Sequence, residues 1–377
     1  MTSQNEDTVA EQQQLLQAIE DRQLAGNAFA LATVVHVKGS AYRREGTKML
    51  VDYSGQQVCT ISGGCLEQAI GNLAQTVIQT GRASLHQFDL DEDVVWGLGL
   101  GCGGSIKVLL EPFDQSNAFT AWLAAVKTNQ PAVLVTALDG ELMGHTARMF
   151  VNAQGETQGT LGADTLDRHF AQLSVSKLQD LYPRSERYLL TTSQGDTRPF
   201  FVDVTSPLPE LVIFGAGHDA LPLANLAHSL GYQVTVVDAR HAFVTEERFP
   251  HAKLIRSHPS GFAGQVSLGQ RSYAVIMNHH LERDKACLAF ALDSCAPYVG
   301  VLGPRTRYQH ILQDLTHEGI HVTSPQTQRV HTPIGLDVGA DSAAEIAVSI
   351  MSELLAVRGG FKAGFLTNRE GRIHEPV

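Results

Sequence analysis

Two cysteines stand inside glycine-rich turns. "TISGGCLEQAIGNL" (60–73) runs Ser62, Gly63 and Gly64 into Cys65, and "GLGLGCGGSIKVLLEP" (97–112) sets Cys102 between Gly101 and Gly103. A thiol at a helix N-terminus feels the positive end of the helix dipole, which favours the thiolate as nucleophile, persulfide carrier or soft metal ligand. The free N–H groups of such a terminus also bind anions, phosphate included. Cys65 meets that condition, because Leu66, Ile70, Leu73, Val77 and Ile78 recur at helical spacing from it until Gly81. Cys102 precedes a strand and gains nothing from a dipole; its glycine neighbours point instead to closely packed backbone. The competing reading of both is inert, with a small cysteine filling a tight corner. A structural zinc site is not expected, since the chain has no Cys-x2-Cys pair.

Upstream, "VKGSAYRREGTKMLV" places Lys38, Arg43, Arg44 and Lys48 around Gly39, Ser40 and Gly46. Arginines beside a glycine turn grip phosphate through paired hydrogen bonds, and the alternative is a solvated basic loop. Glu67 reads as a helix-dipole residue and Glu111 as a surface carboxylate. His279 and His280 read as alternating faces of a strand, so at most one faces any given site.

A second constellation lies in "ELVIFGAGHDALPLANLAHSLGYQVTVVDAR". Gly215, Gly217 and Ala220 form G-x-G-x-x-A between a strand and a helix, and Asp238 ends the following strand. In a dinucleotide site the first glycine allows the turn and the second lets a phosphate approach the backbone. The third small residue allows close packing, and the acid takes a ribose hydroxyl. The flanking elements define a Rossmann fold. They leave the ligand open, whether NAD(P), another nucleotide or none.

The elements that must carry these groups divide the chain. Its 377 residues exceed one ordinary core. "SPLPE" (206–210) is the best linker, so the expected domains are 1–205, an α/β unit, and 206–377, a Rossmann-like unit with a mainly parallel sheet. Residues 8–25 read as a helix, "AFALATVVHV" as a buried strand, and "GTKMLVDYSGQQVCTIS" as a hairpin turning at Ser54-Gly55. Between 116 and 205 the sequence suggests one helix and three strands, and no internal repeat is apparent. The net charge of −11 is spread along the chain, which argues against nucleic acid as a partner. The polar, acidic opening segment and the lack of a long apolar run argue against a secretory leader or a membrane span. The odd number of unframed cysteines argues against disulfides and for the cytoplasm.

Taken in order, these segments resemble the XdhC/CoxI family, accessory proteins of molybdenum hydroxylases such as xanthine dehydrogenase. The resemblance runs through "ATVVHVKGSAYRREGTKMLV", "ISGGCLEQAI", "LGLGCGGSIKVLLEP", "VIFGAGHDALPLANLA", "VVDAR", "VIMNHHLERD", "YVGVLGPRTR" and "TPIGLDVGADSAAEIAVSIMSEL". Two departures are mild: Tyr42 stands where a proline is common, and Ala220 replaces the third glycine. The resemblance implies a carrier rather than a catalyst. Such a protein binds the molybdenum cofactor (molybdopterin), helps with its terminal sulfur ligand and delivers it to a molybdenum hydroxylase apo-enzyme. It also implies a cysteine desulfurase as a further partner and a homodimer. On this chain it makes Cys65 and Cys102 the candidates for contact with molybdenum or its sulfur. It makes Gly39, Ser40, Arg43, Gly63 and Gly64 the candidates for the pterin phosphate. The alternative is an NAD(P)-dependent oxidoreductase built on Gly215, Gly217, Ala220 and Asp238.

Overall fold

The computed structural model describes residues 9–39, 41–90, 104–113, 116–138, 147–180, 183–191, 197–262 and 264–368. The chain's contacts divide it between Pro207 and Leu208 into two compact units.

The first unit begins with α1 (Val9–Leu24), β1 (Phe29–Lys38), β2 (Lys48–Asp52), β3 (Gln57–Val58), α2 (Glu67–Thr80), β4 (Ser84–Asp89) and β5 (Ser105–Pro112). It continues with α3 (Asn117–Lys127), β6 (Ala132–Ala137), β7 (Arg148–Asn152), β8 (Thr157–Thr160), α4 (Asp164–Gln179), β9 (Glu186–Thr191) and β10 (Thr197–Thr205). The two runs have the same order of elements, and they build two five-stranded antiparallel sheets, β3-β2-β1-β5-β4 and β8-β7-β6-β10-β9. The unit is thus an internal duplication, contrary to the expectation of no repeat.

The correspondence reaches single hydrogen bonds. In the β2–β3 turn Asp52 Oδ1 accepts from the amides of Ser54 and Gln56, and 100 positions on (52 to 152) Asn152 Oδ1 accepts from those of Gln154 and Glu156. The turn after α1 places Gly26 at φ 67°, and the turn after α3 places Asn129 at φ 55°. Both residues end their helix in the left-handed region, which glycine and asparagine tolerate best.

Period-two alternation splits each sheet between two cores. Ala30, Ala32 and Val34 of β1 pack with Ile70, Ala74 and Val77 of α2, while Val133 and Val135 of β6 pack with Leu166 and Phe170 of α4. The opposite faces meet in one shared core, where Leu31 and Leu50 join Leu134 and Phe150 under α1 and α3.

Across this shared core the halves exchange ion pairs. β1 sets Thr33 opposite Lys48 and Leu31 opposite Glu111, and β6 sets Thr136 opposite Arg148 and Leu134 opposite Asp203. Lys48 and Arg148 are therefore equivalent, as are Glu111 and Asp203. Lys48 pairs with Asp203 of the other half, and Arg148 with Glu111. Glu111, expected on the surface, is 13% exposed at its side chain. Lys48 is held by this pair and by Gly46 O of its own loop (3.2 Å).

The second unit holds β11 (Glu210–Phe214), α5 (Ala220–Ser229), β12 (Gln233–Val237), β13 (Ala252–Ile255), β14 (Ser272–Ile276) and α6 (Leu281–Leu292). β15 (Tyr298–Val301), α7 (Arg305–His317), α8 (Ser324–Gln328), β16 (Val330–His331) and α9 (Ala343–Gly359) complete it. The sheet order β13-β12-β11-β14-β15-β16, with every pairing parallel, is the doubly wound Rossmann arrangement. Leu211 and Ile213 face α5 and α9, while Val212 and Phe214 face α6 and α7. The last helix opens on the expected capping box of Ser342 and Glu345.

Breaking one cross-pair strands a buried carboxylate. Lys48→Met is expected to destabilise the protein by about 3–5 kcal/mol, and Lys48→Met/Asp203→Leu to recover most of that; urea unfolding measures both.

Candidate functional site

Cys65 lies in the turn between β3 and α2. Gly63 and Gly64 adopt φ 77° and 117°, a backbone region that L side chains rarely enter. A Cβ on Gly63 would also stand 3.2 Å from the Tyr42 ring, so the glycine makes room for an aromatic from the β1–β2 loop. The helix starts at Glu67 with Leu66 as N-cap, one residue beyond Cys65, and no cap side chain serves it. Glu67 instead reaches back over the preceding turn. Its Oε1 accepts from the amides of Ile61 (3.0 Å) and Ser62 (2.7 Å). Its Oε2 accepts from those of Gly64 (2.9 Å) and Leu66 (3.1 Å), and from the Ser62 hydroxyl.

Four amides of the turn that leads into the helix are thus already taken, and by the chain's own carboxylate. Burial by itself would raise the Glu67 pKa; the hydrogen bonds from Ser62 and the backbone outweigh it and hold the carboxyl below its ordinary range. Gly64, expected to cradle phosphate, gives its amide to Glu67 instead.

The thiol itself is free and partly exposed. It opens on a cavity of about 50 Å³ lined with Ala41, Tyr42, Arg43, Ile61, Ser62, Leu90 and Ile106. That space admits a few waters or the terminal oxygen or sulfur of a ligand, and no pterin ring. Arg43 donates through Nη2 to Glu11 and to Thr60 Oγ1 (3.2 Å). Among the described residues its buried Nε has no acceptor. Gly39 turns the end of β1 at φ 75°. Ser40 and Cys102 lie outside the described residues. Among the described residues no cluster of three or more His, Cys, Asp or Glu is arranged to hold a metal.

In the Rossmann unit the motif glycine answers to the fold. A Cβ on Gly215, at φ 121°, would meet Met277 O at 2.5 Å, so the end of β14 requires a glycine there. A Cβ on Gly217 would meet Asp219 Oδ1 at 2.4 Å, and Ala220 is fully buried at the start of α5. Asp238 is 2% exposed, and both its oxygens are taken. Oδ2 accepts from Ala216 N (2.8 Å) and Arg240 Nη2 (2.6 Å), and Oδ1 from Arg240 N (2.8 Å). Arg240 lies over the Phe243 ring at 4.3 Å. As they stand these residues do not offer NAD(P) the free carboxylate that its ribose takes. His279 and His280 are not strand residues: His279 sits at φ 56° with Nε2 2.6 Å from Asp219 Oδ2, and His280 is the N-cap of α6. Cys287 is buried, and desolvation pushes its thiol up, out of reach of thiolate chemistry.

The site that emerges in the first unit is a thiol presented on a clamped turn, and the second unit is a Rossmann fold with its acid internally paired. The chain belongs to the XdhC/CoxI family. Residues 23–89, which include the thiol turn, match the XdhC and CoxI family, and residues 211–354 match the XdhC Rossmann domain. The chain is 29% identical to a probable xanthine dehydrogenase subunit from Bacillus subtilis, across 90% of this chain and 95% of that one. It is 22% identical to the "Molybdenum cofactor insertion chaperone PaoD" of Escherichia coli, across 89% and 85%. A crystal structure of a xanthine dehydrogenase from Bacillus halodurans superposes with a TM-score of 0.73 at 27% identity, across 91% and 95%. Among the described residues no helix is long and apolar enough to cross a membrane.

Asp52, Glu67, Asp238 and Glu353 are all held below their ordinary pKa, because hydrogen bonds to their carboxylates outweigh the burial that would raise it. Depressed acids contribute stability above their unfolded pKa and lose it as pH falls through the folded one. Unfolding free energy should therefore hold level down to about pH 5 and decline below about pH 4; urea titrations at stepped pH measure it.

Proposed function

We propose that the protein binds the molybdenum cofactor, shields it, assists exchange of its terminal sulfur ligand and passes it to a molybdenum hydroxylase apo-enzyme of the xanthine dehydrogenase or carbon monoxide dehydrogenase type. The observation that carries this reading is that a free, partly exposed thiol, Cys65, and the Arg43 side chain line one small cavity. A thiolate is a soft donor that suits molybdenum, and a guanidinium N–H suits an anionic oxygen. The cavity takes only the terminal ligand of such a cargo, so the pterin lies outside it. The relative named as a molybdenum cofactor insertion chaperone supports the same cargo.

On this reading Cys65 holds the metal or its incoming sulfur, Arg43 takes an anionic oxygen of the cargo, and Tyr42 covers the turn. Cys102, Gly39 and Ser40 complete the cofactor contacts on the strength of the family pattern. Sulfur supply by a cysteine desulfurase, homodimeric assembly and a cytoplasmic setting belong to the same reading and rest on the family alone. The protein acts by binding and hand-off and turns over no metabolite. The oxidoreductase alternative finds its Asp238 already paired with Arg240.

Wild type and Cys65→Ala, loaded anaerobically with cofactor and desalted, should differ in bound molybdenum by about tenfold or more, the effect of losing one strong metal ligand. Equal retention, with equal activation of an apo-hydroxylase, would remove Cys65 from the mechanism.

A further inference from the structure

The duplicated first unit contains its own control for the thiol turn. "TISGGCLE" (60–67) has its counterpart in "TLGADTLD" (160–167), each residue shifted by 100 positions (60 to 160, 67 to 167). Thr165 replaces Cys65 and Asp167 replaces Glu67. The carboxylate clamp survives in the second turn, where Asp167 Oδ1 accepts from Leu161 N (2.7 Å) as Glu67 Oε1 accepts from Ile61 N (3.0 Å). Asp167 Oδ2 takes the Thr160 hydroxyl at 2.7 Å. The clamp therefore stands without the thiol, as part of the scaffold, and the first half has enlarged it. Glu67 is one methylene longer and gathers four amides and the Ser62 hydroxyl.

From this we infer that Glu67 is the positioning residue of the thiol: it fixes residues 61–66 in the shape that presents Cys65, and it closes the turn to outside anions. The inference rests on Cys65 being the working group of the proposed function, and it deepens that reading. A tethered carboxylate competes with free phosphate at very high effective concentration, and a phosphate entering the turn would have to strip four amides from a group only 8% exposed. The cargo's phosphate is consequently bound elsewhere than at the amide of Gly64, and the turn contributes geometry rather than charge.

The test uses the full chain and the variants Glu67→Gln, Glu67→Asp and Asp167→Asn. Hydrogen exchange is read on peptides spanning 61–66. Alkylation by iodoacetamide is read as the ratio of Cys65 to Cys59, with Cys287 as the buried reporter of global unfolding. Glu67→Gln should speed exchange in 61–66 by about tenfold, the loss of one charged hydrogen bond, and shift the Cys65 to Cys59 ratio by about threefold or more while Cys287 stays protected. Glu67→Asp, which keeps the charge, should restore part of both, and Asp167→Asn should change neither. Inorganic phosphate at millimolar concentration should leave exchange in the wild-type turn unchanged and slow it in Glu67→Gln, where the side-chain NH2 group leaves amides without their acceptor. If Glu67→Gln fails to fold, Glu67→Asp carries the same readouts, because a shorter acid cannot reach all four amides. Exchange and thiol ratio at wild-type values in both Glu67 variants would overturn the inference. So would phosphate protection of the wild-type turn. None of these measurements uses molybdenum, so they stand or fall apart from cofactor retention by Cys65→Ala.

Discussion

A carboxylate that is 8% exposed must be supplied with donors, and Glu67 draws them all from the turn that carries Cys65. That constraint orders the surroundings. The amides of Ile61, Ser62, Gly64 and Leu66 converge on two oxygens only if the chain doubles back on itself, which puts Gly63 and Gly64 at positive φ. Once the backbone is bent this way the Tyr42 ring lies across Gly63 and the thiol stands at the rim of the cavity that it shares with Arg43. The glycines, the serine and the glutamate around Cys65 are thus parts of one hydrogen-bonded device. An unpaired carboxylate at such a depth costs several kcal/mol, so the turn cannot relax one bond at a time.

The device sits in a unit built twice. Each half lays one sheet face on its own helix, α2 or α4, and turns the other face to its twin. The exchanged pairs Lys48–Asp203 and Arg148–Glu111 bind each half to the other, and side-chain exposures of 4–13% leave little water to screen them. Lys48, Asp203, Arg148 and Glu111 each find an ion partner in the other half, so the half with the thiol depends on the half without it. The second turn can thus retain its carboxylate clamp without a cysteine, because the scaffold is shared.

How far the sequence can be read follows from the same physics. The Rossmann unit is legible because its signals are local: a β-branched strand, a glycine turn and an amphipathic helix, then a capping box at Ser342. The helix from residue 67 to Gly81 is legible for the same reason, with Gly81 at φ 65° donating to Val77 O. The duplication is not, because buried β positions exchange apolar residues freely. "KMLVD" and "RMFVN" share only Met49/Met149 and Val51/Val151, and the connections shift the offset from 103 (26 to 129) to 100 (52 to 152). Within that stretch β7, β8 and α4 escape a reading by pattern. Glu67 reads as a helix-dipole residue because a sequence shows that an acid opens a helix, and not that its side chain folds back over six residues. Asp238 reads by its place at a strand end; only the structure shows Arg240, two residues on, closing over it.

Cys65 is the group on which the proposed contact with the metal centre rests. Molybdenum K-edge X-ray absorption on the cofactor-loaded protein, wild type against Cys65→Ala, addresses that contact most directly. If Cys65 touches the metal, the variant shows one sulfur fewer around molybdenum, or holds no molybdenum to measure. A wild-type coordination shell in a fully loaded Cys65→Ala protein would contradict it.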